Sequence, residues 1–111
     1  MPPIMPSTAI SDTTTVYSNP LVMFKDSGFS IAIEYTGTIT AAVTLQLGIK
    51  KPVEDGGGYI WGDTTETFPS VPAGGAGSSV ESWAYQNADA VRLKVVPASG
   101  TGTFRAYAKV K

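Results

Sequence analysis

Apolar and polar residues alternate along much of the chain with a period of two. The clearest run spans residues 29–35, where Phe29, Ile31 and Ile33 share one parity. The same alternation recurs over residues 39–49, 91–95 and 104–110. Because successive side chains of a strand point to opposite faces, this pattern is typical of half-buried β-strands.

Short glycine-containing connections separate these runs in pairs. Residues 36–38 lie between the first two runs, and residues 97–102 lie between the last two. A short connection of this kind between alternating runs favours a β-hairpin. We therefore predict two hairpins, one formed by residues 29–49 and one by residues 91–110.

Shorter β-prone runs occupy much of the remaining chain, at residues 14–17, 21–24, 59–61, 65–68 and 80–85. Residues 50–79 also hold most of the glycines, so long functional or mobile loops are expected there. Seven or eight short strands in about 100 residues predict an all-β protein, an antiparallel β-sandwich that is immunoglobulin-like or jelly-roll-like. A barrel is the alternative, and the cysteine pair of the immunoglobulin superfamily is missing.

The N-terminal residues form a separate, proline-rich segment. Pro2, Pro3 and Pro6 fix φ near the polyproline value and remove three backbone donors. We predict an extended arm over residues 1–12, outside the core, and a single sandwich domain over residues 13–111.

No secretory signal is expected at the N-terminus, because a basic region and a continuous apolar region are both missing. No stretch has the roughly 20 apolar residues of a membrane span.

The amino-acid composition excludes several kinds of catalysis and metal binding. The 111 residues include no Cys and no His, which excludes thiol catalysis, cysteine-ligated zinc and histidine acid-base chemistry. The net charge of -1 argues against nucleic acid and anionic membrane as partners. We therefore predict a protein that is not an enzyme and takes no cofactor or metal.

Two local features could still point to other chemistry. The acids Glu54, Asp55, Asp63 and Glu66 are the available acid-base material, but nothing in the sequence fixes their geometry, so solvated loop acids are expected. The glycines at 56–58 are followed by Tyr59 instead of the Lys and Ser/Thr of a phosphate-binding loop. Nucleotide binding is therefore not predicted.

Aromatic residues form two closely spaced pairs, Tyr59 with Trp61 and Trp83 with Tyr85. Residues two apart share one face of a strand, so each pair presents two rings together. Such pairs stack on sugars or anchor protein interfaces. The competing interpretation places these rings, Trp61 above all, in the core.

Basic residues cluster towards the C-terminus. Arg92 and Lys94 lie opposite the apolar parity of one strand, and Arg105 and Lys109 share parity on the next. If the two strands pair, these side chains line one exposed sheet face. That face either docks on an acidic protein surface or simply discourages strand aggregation.

The chain as a whole resembles the small all-β virion proteins of tailed bacteriophages, which include head decoration or cement proteins and related fibre modules. The resemblance rests on the proline-rich start at 1–6, the threonines at 13–15, the alternating run at 39–49 and the C-terminal segments at 90–95 and 100–104. It implies a structural protein on the capsid surface of a virion, made in the host cytoplasm. Its implied partners are the major capsid protein and neighbouring copies of itself, in a homo-oligomer such as a trimer.

Two functions follow as hypotheses. The first is capsid decoration, in which the protein bridges and stabilises capsid subunits. Its candidate shell contacts are Pro2, Pro3, Ile4, Met5, Pro6, Arg92, Lys94, Arg105 and Lys109. The alternative is a carbohydrate-binding module for host adsorption or glycan binding, with Tyr59, Trp61, Trp83 and Tyr85 as candidate sugar-stacking residues.

Overall fold

Nine strands and one short 3-10 helix make up the protein in a computed structural model that describes residues 3–11, 14–23, 27–68 and 75–110. The strands are β1 (Met5–Ile10), β2 (Val16–Tyr17), β3 (Leu21–Val22), β4 (Phe29–Gly37), β5 (Thr40–Lys50), β6 (Tyr59–Thr67), β7 (Gly77–Trp83), β8 (Ala90–Ser99) and β9 (Gly102–Val110). The 3-10 helix, Val53–Asp55, lies between β5 and β6. The predicted all-β class is confirmed, with no α-helix in the described ranges.

The strands form two antiparallel sheets that pack as a β-sandwich. One sheet has four strands in the order β1-β9-β4-β7, and the other has the order β2-β8-β5-β6, with β3 also pairing with β8. Every strand pair is antiparallel. The central strands β9, β4, β8 and β5 are also those with the strongest alternation in the sequence.

The core lies between the sheets and takes one parity from each central strand. Its fully buried large side chains are Ile10, Ile31, Ile33, Ile39, Val43, Leu45, Phe68, Val91, Leu93, Val95 and Phe104. Burying a side chain of this size stabilises the fold by about 1.5 to 3 kcal/mol. The outward parity of each strand is left to form the two outer faces.

The two predicted hairpins are wrong, because each connection crosses between the sheets. β4 and β9 belong to the four-stranded sheet, whereas β5 and β8 belong to the five-stranded sheet. The alternation identified the strands correctly, but a glycine-containing connection fits an inter-sheet arch as well as a hairpin. Residues far apart in sequence supply the pairing instead, such as Glu34 with Arg105.

The two arches lie side by side and bind each other. The Thr38 amide donates to the Thr101 carbonyl at 2.9 Å, and the Thr40 and Ser99 hydroxyls are 2.6 Å apart. Gly100 has φ of +78°, and a Cβ there would lie 2.1 Å from the Thr38 carbonyl oxygen. The close contact of the arches therefore requires glycine at this position.

The predicted N-terminal arm is also wrong for the described residues. Residues 5–10 are strand β1 at the edge of the four-stranded sheet, paired with β9. Ile4, Met5 and Ile10 are buried because their apolar side chains complete the core under that edge. Pro6 is accommodated because it falls where the β1 register shifts, between Met5 and Thr8, on an edge strand.

The described part of the glycine-rich middle, residues 50–68 and 75–79, is more ordered than the sequence predicts, while residues 69–74 lie outside the described residues. Residues 59–67 form one long strand, β6, in place of two short ones. Its register against β5 jumps from Asp63 opposite Gln46 to Thr67 opposite Thr44, so residues 64–66 bulge. The bulge places Glu66 where its carboxylate accepts a hydrogen bond from the Trp83 indole at 2.9 Å.

Candidate functional site

The outer face of the five-stranded sheet carries a cluster of one arginine and three aromatic rings. The guanidinium carbon of Arg92 lies 4.2 Å from the ring centroid of Tyr17 and 4.2 Å from that of Trp61. The Tyr59 and Trp61 centroids are 5.2 Å apart. We call Tyr17, Arg92, Trp61 and Tyr59 the Arg92 cluster.

Strand order explains how the Arg92 cluster assembles. Arg92 is on β8, with the Tyr17 strand β2 on one side and β5 then β6 on the other. Arg92 lies between Val91 and Leu93, which are buried, so its own side chain is on the outer face. A cation between two aromatic rings gains about 0.5 to 2 kcal/mol from their quadrupoles.

Gly48 leaves the space that Trp61 occupies. The two residues are direct partners across β5 and β6. A Cβ at position 48 would lie 2.7 Å from one ring carbon of Trp61. The indole therefore covers bare backbone, as aromatic residues commonly do over strand glycines.

A chain of polar contacts continues from the cluster along the sheet. Arg92 Nε donates to Gln46 Oε1 at 2.7 Å, and Gln46 Nε2 donates to Asp63 Oδ1, also at 2.7 Å. Lys94 Nζ pairs with Asp63 Oδ2 at 3.1 Å. Gln46 is buried, so these bonds satisfy an amide that would otherwise lose its solvation.

Within this chain of polar contacts, Asp63 has a charged partner whereas Arg92 does not. Asp63 is paired with Lys94, and the hydrogen bond from Gln46, followed by that from Lys94, lowers the pKa of the Asp63 carboxyl below its usual 3.8. Arg92 contacts a neutral amide and two rings, and partial burial lowers the pKa of its guanidinium. The cluster therefore presents a partly desolvated cation that lacks a carboxylate partner among the described residues.

The structure does not bring the four predicted stacking aromatics together. Tyr59 and Trp61 share the outer face of the five-stranded sheet and are half-buried. Trp83 instead stacks on Phe29 with 5.3 Å between centroids, and Tyr85 packs against the core. The two aromatic pairs therefore lie in separate places, and only Tyr59 and Trp61 are on an outer sheet face.

The predicted single basic face is wrong. Arg92 and Lys94 are on β8 in the five-stranded sheet, whereas Arg105 and Lys109 are on β9 in the other sheet. Both pairs point outward, so the sandwich separates them onto opposite faces. Arg105 lies over the Tyr107 ring at 5.5 Å and is exposed.

The residues predicted as shell contacts at the N-terminus do not form one exposed segment. Ile4 and Met5 are buried in the core, Pro3 is half-buried and Pro6 is exposed, while Pro2 lies outside the described residues.

The four candidate carboxylates have separate surroundings. Glu54 and Asp55 are on the 3-10 helix, Asp63 accepts a hydrogen bond from Gln46, and Glu66 accepts one from the Trp83 indole. No group of three or more metal-ligating side chains occurs in the part of the chain that the structure describes.

Two residues of the site were missed in the sequence. Tyr17 lies in a two-residue strand, and Gln46 lies at a polar position of a long alternating run, where both look like ordinary outer-face residues. Their contacts come from pairing between strands far apart in sequence, as for Gln46 and Arg92. A local signal for either contact is therefore missing.

No family model matches the sequence, and comparisons with curated proteins and with solved structures gave no significant match. A search of the described residues found no helix with the length and apolarity needed to cross a membrane.

Proposed function

We propose that this protein is a non-enzymatic structural component of a virion, a decoration or cement protein that docks on assembled capsid subunits through the outer face of its five-stranded sheet. The observation that carries the proposal is Arg92 held between Tyr17 and Trp61. Arg, Trp and Tyr are the residues that most often dominate protein interfaces. Here they already pack against one another without a partner, and such pre-organisation reduces the entropy cost of docking.

The surroundings of the Arg92 cluster support a protein partner. Val22 and Val96 are exposed on the same outer face, at 54% and 37%. An interface commonly has an apolar and aromatic centre with polar groups around it. Arg92 has no carboxylate partner among the described residues, so its charge favours a docking partner that presents a carboxylate, because a charge-assisted hydrogen bond replaces the hydration that partial burial removes.

We also propose that the sandwich is a jelly roll. Its antiparallel pairs are nested, β1 with β9, β2 and β3 with β8, β4 with β7, and β5 with β6. This nesting is what a long hairpin gives when it rolls into two sheets. Viral capsid domains and lectins both use jelly rolls, so the fold suits capsid decoration and glycan binding equally.

The test is co-sedimentation with empty shells of the source particle. We expect stoichiometric binding that Arg92→Gln weakens by about 10- to 100-fold, in line with the loss of an interface anchor. Arg92→Lys should also weaken it, because lysine keeps the charge but lacks the planar fork. The matched control is Arg105→Gln on the opposite face, which should bind as the wild type does.

Absence of wild-type sedimentation would overturn the shell-binding function. Binding that survives Arg92→Gln, but is lost in Arg105→Gln, would keep the function and place docking on the four-stranded sheet. Thermal unfolding of each variant shows whether a loss of binding reflects a loss of fold.

A second candidate is carbohydrate binding, favoured by the adjacent rings of Tyr59 and Trp61 on one sheet face. Ring faces of this kind stack on sugars, and Asp63 and Lys50 lie on the same face to supply hydrogen bonds. Titration with oligosaccharides should then change the fluorescence of Trp61. In the variant Trp61→Phe the remaining tryptophan, Trp83, should not respond, and an equal response in that variant would overturn this function.

A further inference from the structure

Strand β7 is one of the two edges of the four-stranded sheet, and among the described edge strands it has the longest regular pairing. It pairs with β4 over seven residues without a register shift. Its sequence, GSSVESW, contains no proline and no basic residue, and its one charged residue is Glu81. By contrast, β1 contains Pro6 and a register shift, β6 has the bulge at 64–66, and β2 has two residues.

Edge strands with free backbone groups pair readily with other strands, and proteins usually prevent this with charged side chains, above all lysine, or with proline, bulges or short length. A regular seven-residue edge whose single charge is the half-buried Glu81 is a template for strand addition. The exposure of Val80, at 64%, adds an apolar side chain at the middle of that edge.

We propose that β7 pairs antiparallel with β7 of a second copy of this chain, joining two four-stranded sheets into one of eight strands. Antiparallel pairing about a twofold axis brings the same patch of both copies together. With the axis at Val80, the middle residue of Gly77–Trp83, each residue meets a determined partner. Val80 meets Val80, Ser79 meets Glu81 and Gly77 meets Trp83.

These pairs are compatible in charge and size. Glu81 lies opposite Ser79 of the second copy and not opposite a second Glu81, so a like-charge pair is avoided. Trp83 lies opposite the smallest residue, which leaves its contacts with Phe29 and Phe68 in place. The exposed valines become a cross-strand apolar pair.

One strand pair buries less area than the roughly 1,200 to 2,000 Å² of a standard stable interface. The dimer should therefore be weak in dilute solution, with a dissociation constant on the order of 10 to 100 µM. On a shell, neighbouring copies held close together would pair much more fully. Contact between copies through β7 does not depend on the proposed docking face.

The test is sedimentation equilibrium of the full chain over a concentration series that reaches about 1 mM, well above the expected dissociation constant. We expect a monomer-dimer equilibrium that Val80→Lys weakens at least tenfold. The control Val53→Lys changes another exposed valine, on the 3-10 helix, and should leave the equilibrium unchanged. Ser78→Lys, at a second exposed edge position, repeats the test if Val80→Lys unfolds.

A monomer throughout the series would overturn the inference, as would a dimer or trimer that Val80→Lys and Ser78→Lys leave intact. Shell binding by Val80→Lys separates the two proposals. If the variant still sediments with shells as a monomer, docking stands and self-pairing is independent of it. If dimers form but wild-type protein does not bind shells, self-pairing stands alone.

Discussion

Gly48 and Trp61 face each other across β5 and β6 so closely that a Cβ on Gly48 would lie 2.7 Å from the indole. Since Arg92 contacts that same indole, the missing side chain at position 48 sets the position of the whole Arg92 cluster. A glycine that weakens a strand on its own is thus used to place a ring.

Gly48→Ala should reduce binding more than it reduces stability. Alanine in a strand regains about 0.5 to 1 kcal/mol of the entropy that glycine loses on folding. The displaced indole gives up a cation-π contact of about 0.5 to 2 kcal/mol. We therefore expect a change of less than about 1 kcal/mol in urea denaturation and weaker binding to shells or sugars.

The matched control for that variant is Gly62→Ala, because nothing lies within 4 Å of a Cβ at position 62. Equal binding losses in the two variants would show that the space under Trp61 has no role in placing the cluster.

Asp63 should make stability depend on pH in the acid range. Its folded pKa is lowered by Gln46 and then by Lys94. Because the pKa of Asp63 is lower in the folded state, its carboxylate stabilises the fold fully above the unfolded value of about 3.8. This stabilisation is lost as the pH falls through the lower folded value. The unfolding temperature of Asp63→Asn should therefore fall less than that of the wild type between about pH 4 and pH 2.

Lys94→Met is the informative companion to Asp63→Asn. It removes the second cause of the lowered Asp63 pKa, the contact with Lys94, and keeps the first, the hydrogen bond from Gln46. The acid-induced fall in its unfolding temperature should therefore lie between those of the wild type and Asp63→Asn. Superimposable profiles for wild type and Asp63→Asn would contradict the assigned role of the carboxylate.

Gly100→Ala should destabilise the protein strongly through the paired arches. The new Cβ would take a left-handed φ and also meet the Thr38 carbonyl oxygen at 2.1 Å. We expect a loss of at least about 3 kcal/mol, from backbone strain together with overpacking. Urea denaturation measures it.

Gly57→Ala separates those two causes. Gly57 also has a positive φ, +66°, but nothing lies within 4 Å of its Cβ. Its loss should be about 1 to 2 kcal/mol, the cost of the left-handed backbone alone. Similar losses at positions 57 and 100 would mean that the arches can move apart freely.

Met5→Ala should destabilise the isolated protein by about 2 to 5 kcal/mol, the usual range for removing a large core side chain. This differs from what an arm outside the core would show, since truncating such an arm leaves unfolding unchanged. Ser7→Ala, at an exposed position of the same strand, should stay within about 0.5 kcal/mol of the wild type. Thermal and urea unfolding of both variants decide between strand and arm.

Much of the fold could be predicted because the period-two pattern is a local property. The parity of Ile31 and Ile33, and of Val91 and Leu93, correctly identified the buried faces of β4 and β8. The connection at residues 36–38 could not be assigned in the same way. Whether it turns within a sheet or crosses between sheets depends on whether β9 or β5 pairs with β4, and that choice is made by contacts about 70 residues away, such as Glu34 with Arg105.

The site was predictable only in part for the same reason. The shared parity of Tyr59 and Trp61 placed them correctly on one face. Tyr17 and Arg92 join them because β2, β8, β5 and β6 are neighbours in space, an order that strand pairing alone establishes. The proline-rich start was misleading, since its prolines suggested an arm while the buried Ile4 and Met5 decided the outcome.

The nested pairing of the strands has a consequence for how the chain is made. Only the innermost pair, β5 with β6, can form soon after its residues leave the ribosome. Each outer pair must wait for a later strand, and β1 waits longest because its partner β9 is the last of the nine described strands along the chain. During synthesis the buried side chains of β1 therefore have no neighbouring strand of their sheet to pair with until β9 has emerged.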